Sequence, residues 1–178
     1  MKIGLLRHFP VDHLFLKGFV KQSQVLQWFE KYNEAAVRHM EVEFDTTWQV
    51  CYSSLLPRAR QTAASIFQGD VICTELLNEP SPDPLFKRDV SLPFLLWALL
   101  IRLAILSNHA SQSQRKEVIE SRVRKLIPEL LCHGDANVLI VSHAFVIEIL
   151  SDLLLKEGFS GRRINRPKHG LLYTFERP

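Results

Sequence analysis

Two arginines and two histidines stand where an apolar run of the chain gives way to a turn or a helix; they are Arg7, His8, Arg58 and His143. A guanidinium group binds phosphoryl oxygens through two parallel hydrogen bonds, and an imidazole can serve as a nucleophile or as a hydrogen-bond donor. The sequence has neither a GxxxxGK[ST] loop nor a GxGxxG loop, so side chains would have to hold the anion. These residue types therefore predict a phosphate-binding pocket.

Short apolar strands must position these side chains. Strands are predicted at residues 2–6, 48–52, 71–73, 137–142 and 171–175. Helical spacing of apolar residues predicts helices at 18–42, from residue 57 onward, at 92–108, at 113–132 and at 145–154. Alternating strands and helices predict an α/β fold of three layers, with a doubly wound, mostly parallel sheet and helices on both faces. Ligands of such sheets bind beyond the carboxyl ends of the strands, where the four residues are expected.

The size and charge of the chain limit the number of domains and the kinds of partner to be expected. With 178 residues and 47% hydrophobic residues, we expect one domain, 1–178, with a lid or insertion at roughly 78–112. A net charge of +3 gives no reason to expect a nucleic-acid partner. Arg7 interrupts the first apolar run before a signal peptide would be complete, and three irregularly spaced cysteines fit a reducing compartment. We therefore expect a cytoplasmic protein, either a monomer or a homodimer.

The most apolar segment, residues 92–106, is shorter than a membrane span and contains Pro93 and Arg102. It predicts a buried or groove-lining helix without stable membrane insertion, with a contact to a membrane surface or a partner as the alternative. The histidines outside the candidate pocket lack paired ligand spacing, so no zinc site is expected. No other metal and no organic cofactor are expected either, because cationic side chains would neutralise the phosphate. The basic segment 161–169 is interpreted as a solvated connection, with a phosphate clamp as the alternative.

Four segments together resemble one known family, the histidine phosphatase (phosphoglycerate-mutase-like) superfamily. Residues 5–9, LLRHF, resemble its opening Leu-x-Arg-His-Gly motif, and residues 53–63, SSLLPRARQTA, match its second motif without a mismatch. Residues 77–79, LNE, and residues 138–144, VLIVSHA, resemble its Leu-x-Glu motif and its strand ending in Ser-His-Gly. The order and spacing extend over nearly the whole chain.

The resemblance implies a role for each matched residue. His8 would attack phosphorus and become phosphohistidine, while Arg7, Arg58 and His143 would hold the phosphoryl oxygens. Glu79 would donate a proton to the leaving group and then activate water. The implied activity is that of a metal-independent phosphomonoesterase, a histidine acid-type phosphatase, acting on a small phosphate ester. The alternatives are a non-catalytic phosphate- or phosphoprotein-binding module and a phosphoglycerate-mutase-type phosphotransferase.

The sequence departs from the family pattern at three places. Phe9-Pro10 replaces the glycine after the first histidine and the polar residue that follows it, so the phosphate loop must differ. The family's Ser-His-Gly is Ser-His-Ala here. The glycine and Trp-Glu-Gly expected after the acid are replaced by a proline-rich stretch, which leaves Asp83 and Glu75 as alternatives to Glu79. If exposed, Phe9 and Phe15 would line an apolar leaving-group pocket.

Overall fold

The computed structural model describes residues 1–44 and 46–177; the predicted domain 1–178 also includes residues 45 and 178, which lie outside the described part. The strands are β1 (Lys2–Arg7), β2 (Phe19–Lys21), β3 (Val50–Ser54), β4 (Val71–Thr74), β5 (Ser91–Pro93), β6 (Val138–Ser142) and β7 (Leu172–Glu176). The helices are α1 (Gln22–Glu34), α2 (Pro57–Ile66), α3 (Phe94–Leu106), α4 (Lys116–Arg124), α5 (Leu126–Leu131) and α6 (Ala144–Lys156).

A five-stranded sheet in the order β4-β3-β6-β1-β7 forms the centre of the molecule. The first four strands are parallel, and β7 pairs antiparallel with β1. Because the parallel strands share one direction, their carboxyl ends lie at one edge of the sheet. The strands β2 and β5 form a separate antiparallel pair.

Both faces of the sheet are covered, which explains why β6 is apolar without alternation and buried at all of its residues. Val138 and Ile140 of β6 belong to one apolar cluster, and Leu139 and Val141 to another. The first cluster is completed mainly by α3, α4, α5 and α6, and the second by α2. The predicted mostly parallel α/β sheet with helices on both faces is therefore confirmed.

The helix predicted at residues 18–42 is too long. Residues 19–21 are strand β2, and α1 ends at Glu34 because the following residues pair with another part of the backbone. The amide of Asp12 donates to the carbonyl of Ala36 at 2.9 Å, and the amide of Arg38 donates to the carbonyl of Pro10 at 2.7 Å. A contact distant in sequence has replaced the helical hydrogen bonds that the apolar spacing favours.

The helix predicted at residues 113–132 is divided into α4 and α5 at Lys125. Pro128 accounts for the break, because it has no amide hydrogen to donate to the carbonyl of Arg124 and its ring crowds that carbonyl. Helix α3 occupies most of the predicted apolar segment 92–106. Its buried face includes Phe94 and Trp97, while Leu95 and Leu99 are exposed. No helix within the described ranges is long and apolar enough to cross a bilayer.

Candidate functional site

A cavity of about 290 Å³ opens at the carboxyl edge of the sheet, where β1, β3 and β6 end. All five residues predicted for the site line it; they are Arg7, His8, Arg58, Glu79 and His143. They come from the ends of two strands, the first turn of α2 and the loop after β4. The topology therefore brings together side chains that are up to 136 positions apart in the sequence, Arg7 and His143.

The imidazole of His8 has one nitrogen held by the backbone and one directed toward Arg58. Nδ1 lies 2.7 Å from the carbonyl oxygen of Phe9, which can only accept, so Nδ1 carries the proton. Nε2 then has a free lone pair, to which Nε of Arg58 donates at 3.2 Å. Burial, and next the charge of Arg58, hold the pKa of His8 well below its usual value. The ring is therefore neutral at neutral pH, with Nε2 as its nucleophilic atom.

Arg58 stands at the start of α2, one residue after Pro57, whose fixed φ suits the first helical position. Its side chain is 3% exposed. Nη1 donates to Oδ1 of Asn33 at 2.6 Å, and the guanidinium carbon lies 5.0 Å from the centre of the Tyr32 ring. Burial lowers the pKa of Arg58, but an arginine in a protein remains protonated. A fixed positive charge therefore faces the lone pair of His8.

Arg7 is the last residue of β1 and supplies the second guanidinium group. Its Nη1 donates to the carbonyl of Pro167 at 2.9 Å, which anchors the side chain. Its Nε is buried and has no hydrogen-bond partner among the described residues. A ligand oxygen could accept from this atom.

His143 lies between the last residue of β6 and the first turn of α6. Its Nε2 is 2.7 Å from Oγ of Ser54, and that oxygen also accepts from the amide of Leu56 at 3.0 Å. When the Ser54 hydroxyl donates to Nε2, the proton of the neutral imidazole resides on Nδ1. Nδ1 is buried and finds no partner in the part of the chain that the structure describes. It is thus a donor available to a ligand, and the ring lies 5.1 Å from that of His8, centre to centre.

Glu79 enters the cavity from the loop after the 3-10 turn Glu75–Leu77. Oε1 accepts a long hydrogen bond of 3.5 Å from the amide of Phe145, while Oε2 is buried without a partner among residues 1–44 and 46–177. Burial raises the pKa of this carboxyl group, and the charge of Arg58 opposes that rise. Glu79 therefore holds a proton more readily than an exposed glutamate does.

The two alternatives to Glu79 lie elsewhere. Oδ2 of Asp83 accepts hydrogen bonds from the amide and the hydroxyl of Ser113, each at 2.6 Å, and so fastens a loop. Neither Asp83 nor Glu75 is among the described residues that line the cavity. Of the three carboxylates considered from the sequence, the structure brings only Glu79 to the site.

The basic segment 161–169 does more than connect α6 with β7, and the interpretation as a solvated connection is incomplete. Nδ1 of His169 lies 2.7 Å from the carbonyl oxygen of His8, and the amide of Gly170 donates to the carbonyl of Arg7 at 2.9 Å. His169 also lines the cavity. The phosphate-clamp alternative for this segment included His169 but did not single it out, because the bridge that places His169 beside Arg7 lies outside the pairing of β7 with β1.

The segment Phe9-Pro10 takes a form that the sequence only partly predicts. The amide of Phe9 donates to Oγ1 of Thr62 at 3.0 Å, so this amide is already bonded within the protein. The expectation that Phe9 would line the pocket is wrong, because its ring is fully buried and packs edge-on against His39. Phe15, by contrast, does line the cavity. Burial of the Phe9 ring explains how a bulky residue fits after His8.

The described residues contain no group of three or more His, Cys, Asp or Glu side chains that could hold a metal ion.

Comparison with known proteins identifies the fold. No family model and no curated protein matches the sequence. Among solved structures, a mycobacterial glucosyl-3-phosphoglycerate phosphatase in complex with VO3 is 19% identical over 97% of this chain and 91% of its own, with a TM-score of 0.57. The alpha-ribazole phosphatase from Shigella flexneri is 20% identical over 98% and 89%, with a TM-score of 0.55. A phosphoserine phosphatase mutant from Entamoeba histolytica is 16% identical over 97% and 89%, with a TM-score of 0.55. The chain therefore shares the fold of these three phosphatases.

Proposed function

We propose that this chain, which has the histidine phosphatase fold, is a metal-independent phosphomonoesterase that forms a phosphohistidine at His8. One observation carries the proposal. Three residues that line the cavity each have a buried polar atom without a protein partner in the described structure, and these atoms are Nε of Arg7, Nδ1 of His143 and Oε2 of Glu79. Two are donors and one belongs to a carboxyl group with a raised pKa. A phosphate monoester, with acceptor oxygens and a leaving oxygen that needs a proton, satisfies all three.

In the first step, the lone pair on Nε2 of His8 attacks phosphorus, and the bond from phosphorus to the ester oxygen breaks. Nε of Arg58 donates to this lone pair in the free protein, so it must turn to a phosphoryl oxygen when the ester binds. A dianion attracts the guanidinium group more strongly than a neutral imidazole does. The Nδ1–H group remains hydrogen-bonded to the Phe9 carbonyl, and this hydrogen bond stabilises the positive ring that forms.

Glu79 moves the protons in both steps. In its protonated form it gives a proton to the leaving oxygen as the ester bond breaks, and the alcohol departs. The resulting carboxylate then takes a proton from a water molecule that attacks the phosphorus on His8. The bond between Nε2 and phosphorus breaks, inorganic phosphate leaves, and His8 and Glu79 return to their starting states. Arg7, Arg58 and His143 stabilise the oxygens of both transition states.

Non-catalytic phosphate binding is the second candidate, and two contacts favour it. Arg58 occupies the lone pair of the proposed nucleophile, and the amide of Phe9 is bonded to Thr62 and not directed toward a ligand. A module with these contacts would bind phosphate without turnover. A phosphoglycerate-mutase-type phosphotransferase remains the other alternative predicted from the sequence. It would transfer the phosphoryl group to an added alcohol, whereas the phosphatase transfers it to water.

Steady-state hydrolysis of p-nitrophenyl phosphate in the presence of EDTA tests the proposal. We expect wild-type turnover that survives the chelator and is abolished in His8→Ala. The matched control is His109→Ala, which alters an exposed histidine outside the cavity and should retain activity. Equal inactivity of wild type and His8→Ala, with phosphate binding retained in calorimetry, would overturn the phosphatase in favour of the binding module.

A further inference from the structure

The aromatic residues that line the cavity form a wall that adjoins the phosphate-binding residues at Tyr32, whose ring stacks on Trp28 at 5.1 Å and lies 5.0 Å from the guanidinium carbon of Arg58. Trp28 is its centre: its ring lies 5.7 Å from Phe15 in a stacked arrangement, and 5.1 Å from both Phe29 and Phe94, centre to centre. Nε1 of Trp28 donates to the carbonyl of Leu14 at 2.8 Å, so the one polar atom of this ring is already bonded. The indole therefore presents an apolar surface. Ala98 of α3 and Val25 of α1 complete this wall.

The aromatic wall itself contributes no charged side chain to the cavity. Among the described residues that line it, the acidic, basic and histidine side chains are those of the proposed phosphate site together with His169. Asn33 also lines the cavity, but its Oδ1 is bonded to Arg58. The aromatic cluster therefore has no ionic partner for a carboxylate group on a substrate. Burying such a group there would cost several kilocalories per mole, whereas burying a ring is favourable.

The size of the cavity fits one ring beside a phosphoryl group. A cavity of about 150 Å³ is large enough to bind benzene. Subtracting a space of that order from the 290 Å³ of this cavity leaves a similar space at the charged end. That remainder accommodates the tetrahedral phosphoryl group.

We propose that the natural substrate is a phosphate monoester whose alcohol is apolar and about the size of one ring. This inference rests on the proposed phosphatase function and names the substrate class of that site. The phosphoryl group binds between Arg7 and Arg58, and the ring of the alcohol packs against Trp28 and Phe15. Esters whose alcohol carries a carboxylate lose this contact and leave the carboxylate without a partner.

Three substrates test the inference: benzyl phosphate, ethyl phosphate and phosphoserine. Benzyl and ethyl alcohols are both primary, so the comparison mainly reports binding of the ring. We expect kcat/KM for benzyl phosphate to exceed that for ethyl phosphate about 10- to 100-fold, the value expected for burying a phenyl group. Phosphoserine should be the poorest of the three. Equal values for benzyl and ethyl phosphate, or a preference for phosphoserine, would overturn the inference while leaving the phosphatase activity established.

Phe15 and Phe19 provide a matched pair of variants. Both rings are largely exposed, 69% and 75%, so either alanine variant should fold, but only Phe15 is among the residues lining the cavity. We expect Phe15→Ala to lower the benzyl-to-ethyl ratio about fivefold, because it removes part of one aromatic wall. Phe19→Ala should keep the wild-type ratio. A ratio unchanged in Phe15→Ala, or lowered equally in Phe19→Ala, would contradict the proposed position of the ring.

Binding of non-hydrolysable phosphonates separates this inference from the proposed function. In calorimetry, benzylphosphonate should bind at least tenfold more tightly than ethylphosphonate, whether or not the protein turns over esters. Tight benzylphosphonate binding without hydrolysis of any ester would refute the phosphatase and support the ring-binding end of the cavity. Equal affinity for the two phosphonates would refute the ring-binding end directly.

Discussion

Replacing Arg58 by lysine isolates the geometry of the guanidinium group from its charge. In the structure, Nε and Nη1 of Arg58 point at different acceptors, Nε2 of His8 at 3.2 Å and Oδ1 of Asn33 at 2.6 Å. The flat group also lies over the ring of Tyr32. A lysine ammonium keeps the positive charge but cannot reproduce two donors in this fixed orientation. The substitution therefore tests whether activity requires the oriented donors of the guanidinium group and not merely a positive charge.

The size of the effect follows from the bonds that are lost. Loss of one oriented donor to a transition-state oxyanion costs roughly 3 kcal/mol, or about 100-fold or more in rate. We expect kcat/KM for p-nitrophenyl phosphate to fall by about 100-fold in Arg58→Lys. Loss of the buried contact with Asn33 should also lower the free energy of unfolding by about 1 to 2 kcal/mol, and hence Tm by a few degrees.

Arg60→Lys is the control for Arg58→Lys. Arg60 lies two residues further along the same helix, is exposed and is not among the residues that line the cavity. Its replacement should leave kcat/KM and Tm close to their wild-type values. Arg58→Lys with wild-type kcat/KM, or the same loss in both variants, would refute the role assigned to the Arg58 guanidinium.

Three further predictions concern pH, a positioning residue and thiol reactivity. Burial holds the pKa values of His8 and His143 below 6.5, so below that pH the unfolded chain binds more protons. As the pH falls from about 7.5 to 5.5, the free energy of unfolding in urea should therefore decrease by up to about 1.4 kcal/mol per pH unit per histidine. The raised pKa of Glu79 offsets part of this decrease above pH 4.5, because the folded protein binds the Glu79 proton more tightly than the unfolded chain does. No decrease, or an equal decrease in His143→Gln, would contradict this. His169→Phe removes the hydrogen bond from Nδ1 of His169 to the carbonyl of His8 and should lower kcat about tenfold, because the nucleophile is then held less firmly. His169→Asn retains a donor and should recover part of this loss. Equal kcat in both variants would contradict a role of His169 in positioning His8. Burial raises the pKa of the Cys51 thiol to about 12, so iodoacetamide should label the two exposed cysteines of the native protein first, as read by mass spectrometry; early labelling of Cys51 would show that this site opens.

Local sequence patterns were sufficient for the strands that carry the site. The apolar runs before Arg7 and His143 are short, continuous and bounded by polar residues, which is the pattern of strands buried on both faces. Parallel strands of such a sheet share their carboxyl edge, so the sequence alone predicts that the two residues lie at one pocket. The position of Glu79 could not be derived in this way. A proline-rich loop lacks the regular apolar spacing of a strand or helix, so the sequence does not predict where its backbone runs.

Contacts between distant segments explain what the sequence did not reveal. The end of α1 depends on pairing between residues 10–12 and 36–38, and no local signal marks it. His169 ends a basic segment that resembles a solvated loop, and its position beside His8 depends on contacts with the end of β1 that are distant in the sequence. The burial of Phe9 depends likewise on Thr62 and His39, which are distant in the sequence.

Detection of phosphohistidine is the most direct test of whether His8 is the nucleophile. The protein is mixed with p-nitrophenyl phosphate, quenched in alkali within the first turnovers, and analysed by mass spectrometry. We expect an acid-labile, alkali-stable phosphoryl group on Nε2 of His8 in the wild type and in His109→Ala, and none in His8→Ala. Hydrolysis without this group, or a phosphoryl group on Nδ1 of His8 or on His143, would contradict the claim.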